Sequence, residues 1–202
     1  MSKKYIFYIA FFTLLTLGFY FAISSAIPGF SKKNFPPISK VQPFSFINQD
    51  SSPVTQEIIK DKVAVVNFFF TTCTSVCPRM NNNLKPAYEA FKNNPDVLFL
   101  SFTSDPKRDS AARLKRYADS MQVNTAKWMF ITGSKDSLYQ AARHSFKIDD
   151  PSNFVTNDEA DFLHTQFVAL VNKKGDVIKI YDGIKPSELK TMTGDIENLL
   201  TD

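Results

Sequence analysis

The sequence predicts one α/β domain, a central mixed sheet flanked by helices, preceded by a single transmembrane helix. Three observations predict it. Residues 5–27 contain no charged side chain, which at about 1.5 Å rise per residue is enough to cross a hydrocarbon core of about 30 Å. Val63, Val65, Val66, Phe68, Phe69 and Phe70 form a run too continuous for an amphipathic helix and too short for a membrane span, which reads as a fully buried strand. Short apolar runs and helix-spaced patterns then alternate and finish in a hairpin and a helix, the arrangement of a sheet covered by helices.

The elements follow in order. The apolar stretch is longer than the usual hydrophobic region of a signal peptide, so it reads as an uncleaved anchor, residues 1–27; cleavage at Ser24-Ser25-Ala26 is the competing reading. Lys3 and Lys4 are opposed by Lys32 and Lys33, which leaves a small positive-inside bias toward an inner amino terminus. Pro28, Pro36, Pro37 and Pro43 make residues 28–43 a semi-rigid tether to a domain over 44–202. Phe44 and Phe46 alternate with Ser45 ahead of Gln49-Asp50-Ser51-Ser52-Pro53, which predicts a small hairpin. After Pro78, the residues Met80, Leu84, Ala87, Tyr88 and Phe91 have helical spacing, with Pro86 expected to kink the helix. Residues 97–102 read as a second strand, and Asp109 or Ser110 as the cap of a helix ending near Met121. Residues 128–131 predict a third strand and Gly133-Ser134 the start of a helix to about Phe146, with irregular sequence over 147–161. Residues 167–171 and 177–181 flank a glycine-containing turn at Asn172-Lys173-Lys174-Gly175-Asp176, and Pro186 opens a last helix ending near Leu200.

Composition excludes several functions. At 202 residues the chain supports one domain with its own core. The net charge of +4 sits in the four lysines around the apolar stretch, so the remainder carries 20 basic and 20 acidic residues and has no basic face for nucleic acid. Two cysteines make neither a disulfide scaffold nor, by themselves, a four-ligand zinc site. Both lie just past the buried strand, in Cys73-Thr74-Ser75-Val76-Cys77-Pro78. Proline suits the first turn of a helix, so the pair occupies a strand-to-helix junction, where unpaired N–H groups and the helix dipole make each thiolate easier to form. At this spacing the sulfurs converge on one side of a helical turn and could close a disulfide or clamp one soft cation, Cu(I) or Zn(II). His164, at the head of the late hairpin, is the natural third group, because ligands gather at the carboxyl ends of parallel strands. His144 lies on a helix and Met80 in an apolar helical pattern, so both read as structural.

Thr71-x-Cys73-x-x-x-Cys77-Pro78 after a buried strand, the loop Ser104-Asp105-Pro106-x-Arg108-Asp109, and His164 leading a strand into Lys174-Gly175-Asp176 together resemble the SCO/SenC family. The family's members are membrane-anchored, copper-binding proteins of thioredoxin-like fold that serve cytochrome c oxidase assembly. The resemblance covers roughly residues 43–200 and implies that Cys73, Cys77 and His164 are copper ligands, that the copper-bearing subunit of the oxidase is the partner, and that the domain lies outside the membrane. The short amino-terminal segment, without an arginine-rich amphipathic extension, points to the bacterial periplasmic side of an inner membrane, with the amino terminus cytoplasmic. Between the cysteines this chain has Thr74-Ser75-Val76 where relatives often carry proline and an acid, and Leu163 stands before His164 where many have an acid.

Two functions compete with copper delivery by a metallochaperone. One is thiol–disulfide exchange, with Cys73 attacking and Cys77 resolving, which could keep the oxidase's copper-site cysteines reduced. The other, a thiol peroxidase, shares the α/β pattern. Dedicated thioredoxin-like reductases carry C-x-x-C and a proline before the late hairpin, whereas this chain has C-x-x-x-C and Leu163-His164-Thr165-Gln166.

Overall fold

The computed structural model describes residues 3–26, 36–149 and 165–201, and it divides into two compact units, Met1–Asn34 and Phe35–Asp202. In the first unit, α1 (Lys3–Ala26) is a 24-residue helix, about 36 Å long at 1.5 Å per residue. Its large apolar side chains, among them Phe7, Phe12, Leu14, Phe19 and Phe21, are exposed all round, which suits an apolar solvent rather than a core. The hydroxyls of Thr13 and Thr16 donate back to the carbonyls of Ile9 and Thr13, so neither polar group is left for lipid to satisfy. The helix is long and apolar enough to cross a membrane.

The second unit is built on one sheet. Its strands are β1 (Ser39–Lys40), β2 (Ser45–Asn48), β3 (Pro53–Thr55), β4 (Val63–Phe69), β5 (Val97–Thr103), β6 (Trp128–Thr132), β7 (Phe167–Val171) and β8 (Asp176–Asp182). They lie in the order β1-β8-β7-β4-β5-β6-β2-β3. β4, β5 and β6 are parallel, and the other pairings are antiparallel, so the sheet is mixed. The helices are α2 (Val76–Phe91), α3 (Ala111–Met121), α4 (Lys135–Gln140) and α5 (Pro186–Leu200). The early hairpin is β2 with β3, and the late one β7 with β8, closed by Gly175 at φ +77, a conformation that favours glycine.

All seven residues of β4 are buried, as the unbroken apolar run requires, and their alternation divides the interior in two. Val63, Val65 and Phe69 face α2, α3 and α5, joining Met80, Leu84, Leu114, Ala118, Met192 and Ile196. Ala64, Val66 and Phe68 face the other side, with Ile59, Leu138, Ala142 and Phe146. Each fully buried phenylalanine contributes about 1.5–3 kcal/mol, which is why the central strand is the most constrained part of the chain.

α2 contains Pro86 and continues past it to Phe91. Three local expectations change. The helix expected to reach Phe146 is α-helical only to Gln140 and then widens into a π turn, Ala141–Ser145. That turn leads into buried Phe146, whose ring packs tilted against that of Phe102 at 5.4 Å between centroids, and lets Ser145 hold β1 by accepting from the Ser39 hydroxyl and the Gln42 N–H. Ser39–Lys40, in the stretch read as tether, pairs with β8. Finally, Ser110 precedes α3 while Asp109, the alternative cap, turns inward and is fully buried.

Candidate metal and thiol site

The register of β4 against β7 builds the site. Asn67 lies opposite Val168 in this antiparallel pair, so the chain leaving the carboxyl end of β4 passes beside the chain entering β7. The first of these segments leads to Cys73, and the second is Thr165-Gln166. Phe70, Thr72, Cys73, Cys77, Thr165 and Gln166 accordingly line one cleft of about 430 Å³. His164 lies outside the described residues. Gly183 ties the second segment down, since its N–H donates to the Gln166 carbonyl at 2.7 Å and its own carbonyl accepts from Asn83 Nδ2 on α2 at 3.1 Å.

The two cysteines are unlike. Cys73 is partly exposed in the turn before α2, and Cys77, in the first turn, is 5% exposed. The Cys77 N–H donates to Cys73 Sγ at 3.3 Å. Burial alone would push the Cys73 thiol up, but hydrogen bonds from the Cys77 thiol and from the N–H groups of Cys77, Ser75 and Val76 hold it below an ordinary thiol. This is the anion-stabilising helix start expected for both residues. At Cys77 the expectation fails: burial, and then the neighbouring Cys73 sulfur, push its pKa up to about 12. Alkylation of the reduced, metal-free protein at pH 8 should therefore modify Cys73 many-fold faster than Cys77, the Cys73 rate rising with pH as its thiolate forms. Peptide mapping by mass spectrometry checks this; equal labelling of the two would contradict it.

The loop after β5 anchors the cysteine turn. Buried Asp109 accepts from the Thr71 N–H and from the hydroxyls of Thr71 and Thr103. Arg113 Nε donates to Thr71 Oγ1 at 2.7 Å and lies 3.7 Å from the Asp109 carboxylate. The Asp105 N–H donates to the Thr103 hydroxyl, and the Asp109 N–H to the Asp105 carbonyl. Thr71 precedes Cys73 by two residues, so this knot sets where Cys73 begins. The sequence marked Asp109 as a possible helix cap and as the end of a loop that resembles the SCO/SenC family, without giving it a role in holding the cysteine turn. The threonines two before Cys73 and at the end of β5 were the available signal, since a carboxylate buried between strand ends needs such donors.

A second polar group was missed. Asn67 interrupts the apolar run of β4, points into the α2 side of the core, and is 1% exposed. It hydrogen-bonds Asn81 on α2 and Ser101 on β5. Met80, read as core, is fully buried, and His144 is exposed beside the residue 42–46 segment.

A thioredoxin-like sheet with a C-x-x-x-C pair where its central strand turns into a helix, in a chain that also carries a helix of membrane-spanning length, defines a thiol- or metal-handling protein of the thioredoxin superfamily. The chain belongs to the SCO1/SenC family, whose model matches residues 33–201. It is 31% identical over 191 residues to the SCO1 protein homolog of Bacillus subtilis, covering 93% of this chain and 96% of that one. It is also 30% identical to the solved structure of BsSco, a member of the Sco family of cytochrome c oxidase assembly proteins with a disulfide switch. That match has a TM-score of 0.70 and covers 84% of this chain and 99% of the other. Arabidopsis thaliana ScoI, solved with copper bound, shares the fold at 23% identity, with a TM-score of 0.61 over 81% of this chain and all of that one.

Proposed function

We propose that this protein is a membrane-anchored copper carrier that takes one copper ion on Cys73, Cys77 and His164 and passes it to the dinuclear copper site of a cytochrome c oxidase. The observation that carries the reading is the cleft that Cys73 and Cys77 line together with Thr165 and Gln166, the two residues that follow His164 in the chain. Two thiolates and an imidazole are a donor set that favours copper among common metals. Three protein ligands at a cleft open to solvent leave room for an acceptor's ligand to enter, which transfer requires. Membership of a family whose relatives include cytochrome c oxidase assembly proteins supports the target. α1 then anchors the chain in the inner membrane of a bacterium, amino terminus inside and domain in the periplasm, with the residues between α1 and β1 as spacer.

The test is copper stoichiometry and affinity on the reduced protein beside its His164→Ala variant. One tightly held copper per chain, weakened by His164→Ala, is the expected result. Copper binding indifferent to His164 would sink the three-ligand site.

The unlike cysteines favour thiol–disulfide exchange as a second reading. Cys73 thiolate would attack a partner disulfide, releasing one partner thiolate and forming a mixed disulfide; Cys77, losing its proton, would then displace the second partner sulfur. Two electrons pass to the partner and leave a Cys73–Cys77 disulfide. The same thiols hold copper only when reduced, so this exchange would also gate loading.

A further inference from the structure

The two walls of the cysteine cleft are joined behind it by one buried residue, Gly183. One wall is the chain from Phe70 to Cys77, which runs into α2; the other is Thr165-Gln166, ahead of β7. The Gly183 N–H donates to the Gln166 carbonyl at 2.7 Å, and the Gly183 carbonyl accepts from Asn83 Nδ2 on α2 at 3.1 Å. A single residue at the end of β8 thus ties the helix that carries Cys77 to the segment across from it.

The same place has no room for a side chain. A Cβ at residue 183 would lie 2.6 Å from Met80 Cγ, 2.7 Å from the Gln166 carbonyl oxygen and 3.0 Å from Val168 Cγ2, whereas carbon contacts settle at about 3.5–4.0 Å. Met80 has little freedom to retreat: it is fully buried, three residues after Cys77 on α2, with its sulfur 3.9 Å from Asn67 Nδ2. The Gln166 oxygen belongs to the backbone just before β7 joins β4. Unlike Gly175, Gly183 is not in the left-handed conformation, so space alone requires glycine here. An added methyl group would displace the two elements whose spacing is the width of the cleft. The sulfurs would move as a pair, because the Cys77 N–H donates to Cys73 Sγ within one wall.

We propose that Gly183 is a positioning residue for the metal site, which together with Asn83 fixes the distance between the sulfur pair and the wall from which the third ligand comes. This rests on the copper reading above and adds the element that sets its ligand spacing. Metal–ligand distances are held to about ±0.2 Å, so a cleft widened by more than that keeps the ion on the two sulfurs alone.

The experiment measures Cu(I) affinity by chelator competition on the reduced full chain in detergent, beside the Tm and the Cys73 alkylation rate of the metal-free protein. Gly183→Ala should lower the affinity about 10–100-fold, the loss typical when support behind a ligand is removed. Cys73 should be alkylated at the wild-type rate, since its partner moves with it. In a chain already carrying His164→Ala, Gly183→Ala should weaken copper no further, because the ligand it positions is gone. Asn83→Ala cuts the tie to α2 without adding volume; it should shift affinity the same way by less, and it carries the test if Gly183→Ala does not fold. Gly133→Ala is the control. Its Cβ would lie 2.5 Å from Phe46 Cδ1, on the opposite face of the sheet and three strands away from β7, so it should lower Tm and leave copper affinity unchanged. Wild-type affinity in both Gly183→Ala and Asn83→Ala, or a full additional loss on top of His164→Ala, would overturn the inference alone. Copper binding that is absent, or indifferent to His164, would overturn the copper reading and this inference with it.

Discussion

On the proposed three-ligand site, replacing either Cys73 or Cys77 with serine will lower copper affinity by more than about a hundredfold, since partners outside the ligand shell alone are worth 10–100-fold. A serine hydroxyl is a hard donor that stays protonated at any working pH, so each substitution removes a soft anionic ligand rather than weakening one. The fold should survive. Cys73 is partly exposed, and Cys77 lies on the first turn of α2 at the wall of the cleft, where the smaller oxygen leaves little void. Affinity is measured by competition with a Cu(I) chelator on the reduced proteins, with circular dichroism to establish that the fold is retained. The two variants will differ in their remaining chemistry: Cys77→Ser keeps the reactive thiol and accumulates mixed disulfides, whereas Cys73→Ser keeps only the buried thiol, whose pKa burial still holds up, and stays unreactive. Wild-type copper retention in both variants would remove the sulfurs from the site.

Asp109→Ala will destabilise the domain by about 3 kcal/mol, because it strands the Thr71 N–H and the Thr103 hydroxyl and removes the charge that faces Arg113. For a chain of this size that is a fall of about 6–12 °C in Tm, read by thermal unfolding. The damage will reach the site as well. With Thr71 released, Cys73 loses its fixed starting point, and copper affinity should fall about 10–100-fold, as it does when support behind a ligand is removed. Asp109→Asn retains a carbonyl acceptor but loses the charge that complements Arg113, so its effects should be smaller with the same sign. An unchanged Tm in Asp109→Ala would mean that the knot contributes nothing.

These two variants mark the boundary between what could be read in the sequence and what could not. The central strand was legible because seven consecutive buried positions leave no room for polar residues, and the one exception, Asn67, is paid for by partners on α2 and β5. The late hairpin and α5 were legible because a glycine turn and a first-turn proline are local devices. Cys73 and Cys77 were visible because they are the only cysteines and sit at a strand-to-helix junction. Asp109 was not, because its role depends on Thr71, 38 residues earlier, and on which way its side chain turns once β4 and β5 pair. The π turn after α4 escaped for a similar reason: the sequence through Ala141 and Ala142 continues a good helix, and the extra residue per turn serves contacts of Phe146 and Ser145 with distant strands.

By itself, then, the sequence determined the order of elements, the buried strand, the apolar helix ahead of the domain and the place of the thiol pair, all of which rest on interactions between near neighbours in the chain. Only the tertiary structure decided the inequality of the two cysteines, since the helix start acts on both alike and burial against the core separates them. It alone set the antiparallel register that carries Thr165 and Gln166 to the cysteine cleft, and the pairing of Asn67 with Asn81 and Ser101 inside the core. Burial and register are sums over residues far apart in sequence, and no local pattern encodes such sums.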